Sequence, residues 1–113
     1  MKYMLHVRFG PATERLAALP QPDRDRVTTE FEAIRRLPEV IAAGRLAGPE
    51  TAKTVQEEDG QHAVAAGPAV EPSDAIDGYY VVEGDLDDAT TLAARIPVVA
   101  LGATVEVRPV RGD

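Results

Sequence analysis

The chain contains no cysteine and no tryptophan, and only two phenylalanines and two histidines. Without cysteine there is no disulfide, no thiolate metal site and no cysteine nucleophile, and the default compartment is the cytoplasm. His6 and His62 share no local motif, which argues against a histidine-based zinc site within one chain. No apolar run approaches the ~20 residues of a membrane span. The N-terminus enters a strand pattern directly, without the apolar region of a signal peptide. Basic residues are outnumbered 12 to 19, for a net charge of −7. That balance argues against nucleic acid and anionic membrane as partners and leaves room for a basic protein partner. No glycine-rich nucleotide loop occurs, and Gly67-Pro68 is too short to cradle a phosphate. The expectation is therefore no cofactor and no metal.

What is present suits one domain over residues 1–113. With so few aromatic residues its core must be mostly Val, Ile, Leu and Ala. Such a core is thin, and pairing with a second copy would bury more apolar surface. Residues 2–9, KYMLHVRF, alternate as a strand. Tyr3, Leu5, Val7 and Phe9 make an apolar face, and Met4, His6 and Arg8 a mixed one. Gly10-Pro11 stops the strand and a loop follows. Pro22-Asp23 opens a helix with an apolar stripe at Val27, Phe31 and Ile34. Pro38 is expected to kink or split it, Val40 and Ile41 to resume the apolar face, and Gly44 to end it.

RLAGPE and TAKTVQEE then read as a short strand, a Gly-Pro break and a second strand. Asp59-Gly60 is a two-residue hairpin signal that pairs Glu58 with Gln61, Glu57 with His62 and Val55 with Val64. AVEPSDAID reads as a loop, and GYYVVE (78–83) is the clearest buried strand. Asp85, Asp87 and Asp88 are better explained as helix caps and first-turn charges than as metal ligands. The helix they open runs to Ile96 with Ala89, Leu92, Ala93 and Ile96 inward, and Pro97 stops it. TVEVRPV (104–110) alternates, with Val105 and Val107 on one side and Glu106 and Arg108 on the other. Strand, helix, strand with hairpin, strand, helix, strand is the ferredoxin-like split β-α-β order with an inserted hairpin. It is an α+β fold whose helices cover one sheet face and leave the other open to solvent or to a second subunit.

MKYML at the start, DG at 59–60, GP at 67–68, DGYYVVEGDLDDA at 77–89, AARIP at 93–97 and VEVRPV at 105–110 resemble the YCII-related proteins of the DGPF type. The resemblance spans nearly the whole chain and is strongest from Asp77 onward. It implies a ferredoxin-like fold that dimerises, its two sheets closing a barrel-like cavity as a dimeric α/β barrel. It also implies a family in which some members are proposed enzymes and others associate with sigma factors. Two departures matter. The Asp-Gly-Pro-Phe motif is here Ala66-Gly67-Pro68-Ala69, so the acid and the aromatic are lost. A histidine on the first helix of the YCII branch falls at about Phe31, so its proposed pairing with an aspartate does not carry over.

In a ferredoxin-like sheet the first strand is central, beside the strand at 78–83 and the last strand. That order places His6 and Arg8 near Glu106 and Arg108, with Tyr79 or Tyr80 joining from the other neighbour. Residues two apart on a strand lie about 6.5–7 Å apart on one side, close enough to share a small ligand. The expected site uses His6 as acid/base, Glu106 to orient it, and Arg8 and Arg108 to bind an anionic oxygen. Alternation alone does not decide between Tyr79 and Tyr80. His62 is a weaker candidate, being paired with Glu57 on a ribbon. Residues 67–77 are a candidate lid. The leading function is cofactor-independent proton transfer (isomerisation, elimination, dehydration or cyclisation) on a small polar or aromatic metabolite. The alternative is a noncatalytic ligand-binding or protein-interaction module, such as a sigma-factor partner.

Overall fold

The computed structural model describes residues 1–112. Six strands and three α-helices follow in the order β1 (Lys2–Arg8), α1 (Ala12–Ala17), α2 (Gln21–Arg35), β2 (Val40–Arg45), β3 (Lys53–Glu58), β4 (Gln61–Ala66), β5 (Gly78–Glu83), α3 (Leu86–Ala94) and β6 (Thr104–Pro109). The main sheet has the order β2-β5-β1-β6 and is antiparallel throughout. This is the ferredoxin-like α+β arrangement, with β1 central as its alternation implies. β3 and β4 form a separate two-stranded sheet.

Strand alternation sorts the core. Tyr3, Leu5, Val7 and Phe9 point to the helical side and are all buried, as are Tyr80 and Val82 from β5. Phe31 and Ile34 of α2, Ala89, Leu92 and Ala93 of α3, and Ile96 and Val98 beyond it close over them. The Asp85 carboxylate accepts from the Asp88 N–H and the Asp88 carboxylate from the Asp85 N–H, a reciprocal cap that starts α3. The hairpin turns at Asp59 (φ +50°) and Gly60 (φ +78°), both left-handed as a two-residue turn requires. Its register pairs Glu58 with Gln61, Glu57 with His62 and Val55 with Val64.

Three segments depart from expectation, one of them RLAGPE, which is no strand of its own: Arg45 ends β2 and a single tight turn follows at Pro49–Thr51. Residues 12–17 form a short helix where a loop was expected, because Ala12 packs into the core. Val40–Arg45 is a strand, not a continuation of α2. α2 ends at Arg35, three residues before Pro38, since a proline disfavours helical geometry in the residue ahead of it. Val40-Ile41 is too short an apolar run to separate strand from helix by period, and tertiary pairing with β5 decides it. Asp77 ties these pieces together. Its carboxylate accepts from the Phe9 N–H at 2.7 Å, its own N–H donates to the Val7 carbonyl at 2.7 Å, and its carbonyl accepts from the Leu46 N–H at 2.9 Å.

Candidate functional site

Met4, His6 and Arg8 alternate with buried residues and so stand on the sheet face away from the helices. The register sets their neighbours. His6 lies opposite Glu106 of β6 and opposite Tyr79 of β5, and Tyr79 lies opposite Gly44 of β2. One row therefore crosses four strands as Gly44, Tyr79, His6, Glu106. The next row is Ala42, Val81, Met4 and Arg108. Arg8 pairs with Thr104 on the other side of His6. Arg8 and Arg108 thus flank His6 from rows about 13–14 Å apart along the strands.

The imidazole Nδ1 of His6 lies 3.6 Å from Glu106 Oε1, with the histidine side chain 20% exposed and the glutamate 52%. That Nδ1 is buried and lacks a hydrogen-bond partner among the described residues. The carboxylate beside it favours the tautomer with the proton on Nδ1, which leaves Nε2 as the basic nitrogen. Tyr79 belongs to this row. Tyr80 does not: it points into the core and is 5% exposed. Burial pushes the Tyr80 phenol up from 10.0 to about 12, partly offset by Arg45. The folded protein therefore keeps a proton that the unfolded chain releases. Stability from this group is complete below pH 10, falls as pH rises, and is lost above about 12. In an alkaline titration followed by phenolate absorbance, one tyrosine should ionise late, and Tyr80→Phe should abolish that late step.

Arg8 is oriented by the chain. Its Nε donates to the Asp74 carbonyl at 3.0 Å, one of five N–H donors on the guanidinium. It lines an open groove of about 520 Å³ whose walls include Leu46, Pro49, Pro68, Val70 and Ile76. The stretch expected as a lid is one wall of this groove. Within it the Gly67 N–H donates to the Ala52 carbonyl and the Gly67 carbonyl accepts from Thr54 Oγ1, which closes the hairpin base. His62 stands exposed on β4, in the other sheet.

Three residues were missed from sequence. Gly44 gives room to Tyr79: a Cβ there would meet the tyrosine ring carbon at 2.8 Å and its hydroxyl at 2.9 Å. Its only signal was a glycine inside an apolar run. Arg45 sits beside the stacked Phe9 and Phe31 rings, whose centroids are 6.4 Å apart, with its guanidinium 5.5 and 5.3 Å from them, a cation–π contact on the helical side. The cavity beside it measures about 40 Å³, room for water but not for a metabolite. Asp77, described above, is the third. Among the described residues no cluster of three or more His, Asp or Glu side chains converges as a metal site would require.

A scan against protein-family models matches residues 1–111 to the YCII-related domain. No curated protein matches the chain.

Proposed function

The chain belongs to the YCII-related domain family, and from that premise we propose that it is a small-molecule enzyme performing cofactor-independent proton transfer on the open sheet face. The observation that carries this reading is the Tyr79, His6, Glu106 row beside the Arg8 groove. Arg8 receives an anionic oxygen of the substrate, a carboxylate or phenolate, and the apolar groove wall takes the body of the molecule. His6 Nε2 removes a proton from carbon, and the electron pair moves onto the adjacent carbonyl to give an enolate. Glu106 steadies the imidazolium that forms. Return of the proton to a different carbon completes an isomerisation. Delivery to a departing hydroxyl releases water and completes a dehydration. Tyr79 walls the site, and a second copy of the chain closes the open face over it.

The second reading, a noncatalytic module, draws on the exposure of Glu106, which also suits a plain cross-strand ion pair. Protein-observed NMR with a panel of small aromatic and aliphatic carboxylates, phenols and β-dicarbonyls tests the small-molecule site that the proposal requires. On the proposed function, binding shifts signals of Arg8, His6 and the groove residues together, and Arg8→Ala removes them. If no member of the panel moves these residues, the small-molecule reading fails.

A further inference from the structure

Gly44 is a glycine that its backbone does not require. It lies inside β2, an edge strand of the main sheet. It is not among the glycines with positive φ, so any residue could adopt its conformation. Glycine inside a strand also weakens it relative to alanine. What the position supplies is room. A Cβ there would stand 2.8 Å from a ring carbon of Tyr79, 3.0 Å from the carbon that carries the hydroxyl and 2.9 Å from the hydroxyl oxygen. An alanine at 44 and this ring cannot both stand where they are. The neighbouring positions on β2 do carry a Cβ: Ala42 lies opposite Val81 and Ala43 opposite Tyr80.

The seat fixes where the phenol is. β5 separates β2 from β1, and neighbouring strands lie about 4.8 Å apart. The far end of the Tyr79 ring lies over Gly44, so the ring leans off β5 toward the sheet edge, away from His6. Its hydroxyl is then about 7–10 Å from the line of His6, beyond hydrogen-bond reach. The His6 side chain keeps 20% of its surface accessible, and the buried Nδ1 is not part of that surface. A side chain at 44 would close the seat. A ring turned off β2 has only the space above β5 and toward β1 left to it.

We propose that Gly44 is a specificity-determining residue of the His6 site: by seating the Tyr79 ring over β2, it keeps the phenol off the imidazole and the approach to Nε2 clear for a substrate with a ring-sized body. A substrate held at Arg8 must lay its reacting carbon across that approach, so an aromatic acid depends on the seat and a short aliphatic acid does not. The specificity role rests on the proposed function, whereas the seat does not.

The test uses diethyl pyrocarbonate, which transfers an ethoxycarbonyl group to a neutral imidazole nitrogen, with mass spectrometry to read each histidine. His62, exposed on the other sheet, is the reference within the same molecule. Relative to His62, labelling of His6 should slow roughly tenfold in Gly44→Ala and return in Gly44→Ala with Tyr79→Ala, a coupling of the size contacting residues show. Tyr79→Ala alone should change it less than about twofold, since the ring is already aside. In parallel, 3-phenylpropionate should bind Gly44→Ala about tenfold more weakly than wild type, with acetate nearly unaffected. In wild type, an NMR cross-peak should join the Gly44 Hα protons to the Tyr79 ring, and this reading holds even where Gly44→Ala does not fold. Absence of that cross-peak overturns the seat, as does a wild-type His6 that takes no label. Slower labelling without rescue by Tyr79→Ala shows a backbone effect and overturns it too. A Gly44→Ala chain that is less stable but labels at His6 as wild type does leaves a glycine covered by an aromatic ring for stability alone, and overturns the specificity role. If wild type binds no 3-phenylpropionate, the specificity role is overturned for want of an aromatic ligand, while the cross-peak and the labelling still decide the seat.

Discussion

Replacing His6 by glutamine is expected to slow proton exchange between solvent and a bound substrate by about 10²- to 10⁴-fold, the usual worth of a positioned acid/base. Glutamine fits the half-buried position on β1 and still offers an amide N–H toward Glu106. It cannot carry a proton to and from carbon at neutral pH. Binding should change little, because on the proposed function Arg8, which lines the groove, takes the anionic group and the imidazole does not. The expected pattern is therefore a fall in kcat with KM nearly constant, which marks an interaction used in the transition state. Arg8→Ala should do the reverse and act mainly on KM. A His6→Gln protein with full turnover removes His6 from the chemistry.

The largest effect on stability is expected at Leu5. It lies at the middle of the central strand, 0% exposed, opposite Tyr80 on one side and Val107 on the other. Helices α2 and α3 close over this face with Ile34 and Leu92. A strand paired on both sides cannot shift to fill a void, so Leu5→Ala should cost about 2–5 kcal/mol. A domain of this size holds only about 5–15 kcal/mol in total, so the variant should be close to unfolding. Urea denaturation should show a much lower midpoint with an unchanged slope. Leu5→Met, which conserves volume, should cost less than about 1.5 kcal/mol. A cost below 1 kcal/mol for Leu5→Ala would show that β1 is not the centre of the core.

How much of this was legible in the sequence depends on the kind of signal. The two-residue period of KYMLHVRF assigned both faces of β1, and the Asp59-Gly60 turn set the hairpin register, because each rests on local backbone geometry. The carboxylates at Asp85 and Asp88 marked the start of α3 for the same reason. Val40–Arg45 failed because its short apolar run has no decisive period, and its strand state comes from pairing with β5. The 12–17 helix failed because it is held by Ala12 in the core, a contact made across the chain.

The site divides similarly. That His6 faces Glu106 followed from strand order once β1 was taken as central. That Arg108 sits one row away, beside Met4, needed the register, which alternation does not supply. The same holds for Tyr79 against Tyr80. Two adjacent tyrosines on a strand must face opposite sides, and only the pairing with β1 says which one meets His6. Gly44 was beyond reach because its role is a space for the ring of Tyr79, visible only when β2 is placed beside β5.

The central claim is that the Glu106–His6 row moves protons to and from carbon. It is tested most directly by incubating the wild-type protein in D₂O with each compound that NMR shows to bind at Arg8, and following carbon-bound hydrogen by ¹H NMR. The account predicts catalysed deuterium incorporation at one acidic carbon of at least one such compound, at a rate that collapses in His6→Gln. Binding at Arg8 without catalysed exchange in any of them would contradict it, and would leave the open face as a place that holds ligands without transforming them.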